Sequence, residues 1–141
     1  MKSISSLIDK GDFILGKSVH NFEKSFAKYV GSKYAVGVNS GSDALTLSLK
    51  AIGISNGDEI ITCPNSYIAT SWAIVAASGK PVFVDCDDSM NIDWRQIESK
   101  ITKKTKAIVP THLTGLPCEI EKIEKIASKY KIPVIYDCAQ A

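Results

Sequence analysis

The chain has 141 residues, of which 45% are hydrophobic and 23% are charged, and 17 basic residues against 15 acidic ones give a net charge of +2. This length and composition are those of a globular domain and exclude a disordered, collagenous or coiled-coil protein. Arg95 is the only arginine, and with so small a net charge the sequence argues against nucleic-acid binding.

The sequence carries no sign of export or of membrane insertion. Its longest apolar stretch, 69–77, is interrupted by Thr70 and Ser71, whereas a bilayer-spanning helix needs roughly 20 apolar residues. The N-terminus lacks the apolar core of a secretory signal. Four cysteines without CxxC spacing, and two isolated histidines, His20 and His112, favour reduced thiols and no metal site. We therefore predict a cytoplasmic protein.

Apolar residues recur along the chain with the periods of helices and strands in alternation. Residues 1–17 are predicted as an irregular N-terminal arm, followed by a helix from Val19 to Val30 that ends at Gly31. Strands are predicted at 35–39, 59–62, 81–85, 107–109 and 133–137, and further helices at 40–52, 67–77, 93–101 and 119–130. Five short apolar strands separated by helices predict an α/β domain over 18–141, with three αβα layers and a mostly parallel sheet.

The last predicted strand lies directly before the final residues of the sequence, Asp137–Ala141. An α/β domain normally continues from such a strand into a covering helix. We therefore expect residues 18–141 to be the N-terminal part of a larger domain.

Ligands of open α/β sheets bind beyond the carboxyl ends of the strands, where three features stand out. The turn at 40–43, with Gly41 at its centre, is either an anion site at a helix N-terminus or a simple N-cap by Ser40. Asp137 either pairs with a cationic ligand atom or caps the following segment. Tyr67 either stacks on a planar ligand or belongs to the core.

Several ordered blocks of sequence resemble the DegT/DnrJ/EryC1/StrS family of sugar aminotransferases. The blocks include VGVNSGSDAL at 36–45, GDEII at 57–61, PVFVD at 81–85 and DCAQA at 137–141. The resemblance extends from about Gly16 to the last residue.

This resemblance implies part of the large domain of a fold-type-I transferase that uses pyridoxal 5′-phosphate (PLP). Such enzymes move an amino group, usually from glutamate, to a keto group of a nucleotide-linked sugar in polysaccharide biosynthesis, and they act as homodimers. By position, Gly41 and Ser42 would bind the cofactor phosphate and Tyr67 would stack on the pyridine ring. Asp137 would pair with the protonated ring nitrogen, and Gln140 would lie beside the phenolic oxygen.

The family's Schiff-base lysine is expected beyond Ala141, so the resemblance implies no catalytic residue within this sequence, and the 141 residues alone should be inactive. Two alternatives remain. One is a PLP-dependent sugar dehydrase of the same family, in which histidine replaces that lysine. The other is a truncated, non-catalytic paralogue or binding module.

Overall fold

The computed structural model describes residues 2–11 and 13–141, with side chains from Ile4 onward. The chain forms two compact units, one that ends at Val38 and a second over Asn39–Ala141. None of the helices in the described ranges is long and apolar enough to cross a membrane.

The N-terminal unit contains two helices. Helix α1 spans Lys2–Lys10 and helix α2 spans Lys17–Val30. The C-terminus of α2 is where the sequence predicts it, because Gly31 adopts the left-handed conformation (φ 72°) and donates its N–H to carbonyls of the last turn.

Two sequence predictions are wrong in this unit. The arm is not irregular over Lys2–Lys10, because Ile4, Leu7 and Ile8 repeat at helical spacing; Met1 and Asp12 of the predicted arm lie outside the described residues. The strand expected at 35–39 is also absent. No described strand pairs with it, and the Gly37 N–H donates instead to the Glu23 carboxylate at 2.7 Å.

The second unit is built on a parallel sheet. Its strands are β1 (Glu59–Thr62), β2 (Lys80–Phe83) and β3 (Thr105–Val109), in the order β2-β1-β3. Its helices are α3 (Gly41–Ala51), α4 (Ile68–Ala76), α5 (Trp94–Lys100) and α6 (Ile120–Tyr130), with a short 3-10 helix at Leu113–Gly115. These strands and the four α-helices confirm the predicted alternation.

The predicted strand at 133–137 runs parallel to β3 without forming a continuous ladder. Isolated bridges join Ile108 to Val134 and Thr111 to Asp137. Prolines at 110 and 133 each remove a backbone donor, which limits the regular pairing. The segment nevertheless places Asp137 beside the residues that follow β3.

Apolar residues cover both faces of the sheet, because successive strand residues point to opposite sides. Ile60 belongs to a buried cluster with residues of α3 and α4, whereas its neighbour Ile61 belongs to a second cluster with residues of α5 and α6. Ala107 and Ile108 of β3 divide in the same way. The unit therefore has the predicted three αβα layers.

Candidate active site

A cavity of about 200 Å³ opens where β1, β3 and the 133–137 segment end and helices α3 and α4 begin. It contains all five residues that the sequence singles out as ligand-binding. Its lining residues are Gly41, Ser42, Leu45, Ser66, Tyr67, Ala69, Thr70, Thr111, Asp137, Ala139 and Gln140.

One wall of the cavity is the N-terminus of α3. Ser40 caps this helix, since its Oγ accepts the Asp43 N–H at 3.1 Å and its carbonyl accepts the Ala44 N–H at 2.9 Å. Four N–H groups at a helix N-terminus lack partners within the helix. The Ala44 bond is the first regular bond of the helix, so the cap side chain engages one of these four groups, that of Asp43, and the amides of Gly41 and Ser42 lie at the positive end of the helix dipole. The N-cap and the anion site are thus compatible.

Gly41 leaves space at this wall. No protein atom lies within 4 Å of the position that a Cβ would take on this residue. A phosphate can therefore approach the backbone closely at this point.

The opposite wall centres on Asp137, which is only 8% exposed. The Thr70 hydroxyl donates to its Oδ2 at 2.8 Å, and the Ala139 N–H donates to Oδ1 at 3.2 Å. The parallel bridge to Thr111 fixes the backbone at this point.

Asp137 forms no salt bridge with any of the described residues. A buried carboxylate is costly unless it is paired or hydrogen-bonded. Two donors account for part of its bonding capacity, and lone pairs remain for a further partner. These lone pairs can accept a hydrogen bond from a cationic group of a ligand. A protonated pyridine nitrogen is such a group, so the residues present fit it.

Three hydroxyls beside Asp137 were not singled out from the sequence. Ser66 Oγ lies 2.9 Å from Thr70 Oγ1 and 3.2 Å from Thr111 Oγ1, and Thr70 in turn contacts Asp137. Ser66 and Thr111 follow predicted strands, whereas Thr70 lies in a predicted helix, and no local pattern indicates their contacts, of which two join residues far apart in the chain.

Gln140 is held by a tight loop. Its Oε1 accepts the Thr114 N–H at 2.8 Å, and its carbonyl would lie 3.2 Å from a Cβ on Gly115. Both loop residues have positive φ, 54° at Thr114 and 88° at Gly115. The side chain of Asn91 stabilises the loop with two hydrogen bonds. It accepts the Leu113 N–H at 2.9 Å and donates to the Leu116 carbonyl at 3.0 Å.

Tyr67 is 73% exposed and lies at the N-cap of α4 with extended backbone. Its ring does not belong to the core. Tyr67 lines the cavity, and its stacking on a planar ligand stays a prediction.

His112 and Cys118 lie behind the cavity and have structural contacts. His112 Nδ1 accepts the Cys118 N–H at 3.1 Å, and its ring stacks on Tyr136 with centroids 5.2 Å apart. Burial lowers the pKa of His112, and the nearby Asp137 charge opposes this shift. Burial also raises the pKa of the Cys118 thiol to about 11.

The remaining titratable groups do not suggest a metal centre. His20 is exposed on α2, and all four cysteines are free thiols. Within the described ranges, no three His, Cys, Asp or Glu side chains lie together as metal ligands would.

Known proteins are similar to this chain in sequence and in fold. It is 48% identical over 141 residues to the dTDP-3-amino-3,6-dideoxy-alpha-D-galactopyranose transaminase of Aneurinibacillus thermoaerophilus, a match that covers 99% of this chain and 39% of that protein. The crystal structure of S. venezuelae DesV, in complex with a ketimine intermediate, superimposes with a TM-score of 0.96 at 37% identity, over 99% of this chain and 38% of DesV.

A protein named as a dehydratase, and not as a transaminase, also matches the fold of this chain. The structure of a GDP-4-keto-6-deoxymannose-3-dehydratase with a trapped PLP-glutamate geminal diamine matches with a TM-score of 0.91 at 35% identity, over 99% of this chain and 38% of that one. The chain thus spans less than half the length of each of these relatives. The structural matches confirm the predicted fold class.

The model of the DegT/DnrJ/EryC1/StrS aminotransferase family matches residues 1–141. This match confirms the resemblance inferred from the sequence blocks, and the chain belongs to the DegT/DnrJ/EryC1/StrS aminotransferase family.

Proposed function

We propose that this chain supplies most of the PLP site of a nucleotide-sugar aminotransferase, with residues 18–141 as the N-terminal part of the PLP-binding domain. The observation that carries the proposal is a buried carboxylate, Asp137, without a cationic partner among the described residues, in a cavity shared with a helix N-terminus. The transaminase and DesV similarities support the same assignment.

Each wall of the cavity has a distinct role in this proposal. The amides of Gly41 and Ser42, with the Ser42 hydroxyl, would bind the phosphate at the positive end of α3. Tyr67 would cover one face of the pyridine ring. The side chain of Gln140, held by Thr114, would orient the ring from its phenolic oxygen side.

Asp137 would act on the electronic state of the ring. PLP, when bound, supplies an electron sink for the proton and bond changes at the amino-acid carbon. A carboxylate beside the ring nitrogen favours the protonated form of that nitrogen, because opposite charges stabilise each other at short range. Asp137 would thus hold a proton at the ring nitrogen.

None of the residues that line the cavity is a lysine. We therefore propose that a lysine which bonds to the cofactor comes from outside residues 1–141, and that these residues alone are inactive. The amino donor, with glutamate as the first candidate, and the nucleotide-linked keto sugar would enter the same cavity.

We further propose that the enzyme is a homodimer. Helix α4 has an apolar stripe facing solvent, formed by Ile68, Trp72 and Val75, which are 70%, 56% and 59% exposed. The opposite face of α4, at Thr70, Ala73 and Ile74, is fully buried. Apolar side chains on both faces of one helix indicate a second covering surface.

The homodimer is tested by Trp72→Glu, compared with Ile120→Glu on α6, which is also a partly exposed apolar site. Losing a central aromatic contact typically weakens an interface by about 2 kcal/mol or more, roughly 30-fold in Kd. In sedimentation velocity, Trp72→Glu should be a monomer, whereas Ile120→Glu should remain a dimer. Equal dimer stability in both variants would contradict an interface on α4.

The proposed activity is tested on the protein expressed from its complete coding sequence. We expect it to bind PLP and to convert glutamate to 2-oxoglutarate in the presence of a dTDP- or UDP-linked keto sugar. Mass spectrometry should then detect the aminated sugar. Absence of PLP binding would refute the proposal.

The dehydratase similarity favours one second candidate, a PLP-dependent sugar dehydrase with the same cofactor site. The same incubation separates the two activities. Amino transfer adds nitrogen to the sugar, whereas dehydration removes one hydroxyl and leaves the sugar without nitrogen.

A further inference from the structure

Three hydroxyl groups form a row that ends at the carboxylate of Asp137. Thr111 Oγ1 lies 3.2 Å from Ser66 Oγ, Ser66 Oγ lies 2.9 Å from Thr70 Oγ1, and Thr70 Oγ1 lies 2.8 Å from Asp137 Oδ2. Thr70, Thr111 and Asp137 are buried, at 1%, 6% and 8% exposure. The row joins four parts of the second unit. Ser66 lies in the loop after β1, Thr70 in the first turn of α4, Thr111 after β3, and Asp137 in the 133–137 segment beside β3.

The chemistry of the last member determines the direction of every hydrogen bond in the row. An ionised carboxylate only accepts, and each hydroxyl has a single proton to donate. The Thr70 proton therefore goes to Asp137. Ser66 must then donate to Thr70, and Thr111 to Ser66. All three O–H groups point toward the carboxylate, and such a chain polarises each of its members.

The bond from Thr70 is not the usual contact of a helical threonine. A threonine in a helix commonly bonds to the carbonyl four residues earlier, as Thr46 does to Ser42 at 2.8 Å. Thr70 instead reaches a carboxylate 67 positions later in the chain. Its hydroxyl is thus committed to Asp137.

The two oxygens of Asp137 are held unequally. Oδ2 accepts the 2.8 Å bond from Thr70, whereas Oδ1 accepts only a 3.2 Å bond from the Ala139 N–H. Oδ1 is therefore the oxygen with more capacity for a ligand. A fixed Oδ2 also prevents rotation of the carboxylate about its terminal bond.

We propose that Thr70, supported by Ser66 and Thr111, is a positioning residue that fixes the Asp137 carboxylate so that Oδ1 is presented to the protonated ring nitrogen of the cofactor. This inference rests on the proposed function as a PLP enzyme. It extends that function by assigning a role to three residues outside the cofactor contacts named above.

The test uses the protein expressed from its complete coding sequence and loaded with PLP labelled with ¹⁵N at the pyridine nitrogen. The ¹⁵N chemical shift reports directly whether this nitrogen is protonated, and equilibrium dialysis measures PLP affinity. The variants are Thr70→Val, which removes the hydroxyl at nearly constant shape, and Thr70→Ser, which keeps it. Thr62→Val is the matched control, because Thr62 is fully buried and its hydroxyl donates to the Val109 carbonyl at 2.8 Å.

We expect the ring nitrogen in Thr70→Val to lose its proton at a lower pH than in the wild type, and PLP binding to weaken about tenfold, the equivalent of a fall of about one unit in that pKa. Thr70→Ser should restore both values. Thr62→Val should lower thermal stability without moving the ¹⁵N signal. Ser66→Ala, at a half-buried site, should shift the signal in the same direction by a smaller amount.

The outcomes separate the two levels of the proposal. A wild-type protein that binds no PLP overturns the proposed function together with the role of Thr70. If the wild type has a protonated ring nitrogen and Thr70→Val gives the same ¹⁵N signal, only the role of Thr70 is overturned. If Thr70→Val does not fold, an unchanged ¹⁵N titration in Ser66→Ala overturns the row, and a shifted one supports it.

Discussion

The two ends of the cavity are built from different kinds of chemical group. At the α3 end, the groups that we propose to bind the cofactor are the main-chain amides of Gly41 and Ser42, and Gly41 is exposed. At the Asp137 end, they are buried side chains that hold one another through hydroxyl contacts. Main-chain donors survive most substitutions, whereas a buried carboxylate has a charge that one substitution removes. Both ends should contribute to the affinity for the cofactor, but only the second should determine how reactive the cofactor becomes.

The largest expected effect is that of Asp137→Asn on turnover. The amide keeps an acceptor for Thr70 but loses the charge, so the protein should still bind PLP while single-turnover rates fall by about 10² to 10³-fold, as for loss of one charge-stabilising group. Rapid-quench measurement of the first turnover gives this value. Asp85→Asn, an exposed carboxylate after β2, is the matched control and should keep the wild-type rate. A near wild-type rate in Asp137→Asn would show that the charge is not needed.

The next effect tests the α3 end with Gly41→Ala. The added methyl meets no protein atom within 4 Å, so the melting temperature should stay the same or rise slightly, because alanine favours a helix more than glycine. The methyl occupies space that the phosphate needs, and PLP affinity should fall about tenfold, or about 1.4 kcal/mol. Equilibrium dialysis and differential scanning fluorimetry measure the two quantities. Unchanged affinity would place the phosphate elsewhere.

The smallest effect concerns His112, whose backbone N–H donates to the Asp137 carbonyl at 3.0 Å and whose Nδ1 accepts the Cys118 N–H at 3.1 Å. Because burial lowers its pKa in the folded state, the unfolded chain binds a proton first as the pH falls below about 6.5. Stability should therefore decrease from pH 7 to pH 5, by at most about 1.4 kcal/mol per pH unit for one proton.

His112→Asn keeps an acceptor for the Cys118 N–H and should make this decrease shallower. Urea unfolding at several pH values measures it, and His20→Asn on the exposed surface of α2 is the matched control. Equal slopes in all three proteins would remove His112 from the pH dependence.

Most of the second unit could be predicted from local patterns. Residues such as Leu45 and Leu49, or Ile123 and Ala127, lie at helical spacing and are buried as expected. The two errors have different sources. Residues 35–39 have strand composition, but no strand pairs with them among the described residues. Ile4, Leu7 and Ile8 have the spacing of a helix, but the segment that contains them is short and mostly polar.

The site shows the same division. Gly41, Ser42, Tyr67, Asp137 and Gln140 could be selected from strand ends and family blocks, and they line one cavity. Thr70 could not be selected, because its sequence position on an apolar helix predicts only packing. Its role follows from a contact with Asp137 that no local pattern contains.

Sequence alone thus determined the alternation of helices and strands, the family and the residue types at the ends of the strands, because these depend on side-chain period and on short motifs. The tertiary structure decided which ends meet, how Asp137 is buried without a described cationic partner, and which hydroxyls hold it. The physical reason is that burial and hydrogen bonding of Asp137 depend on the pairing of β3 with a segment more than twenty residues later.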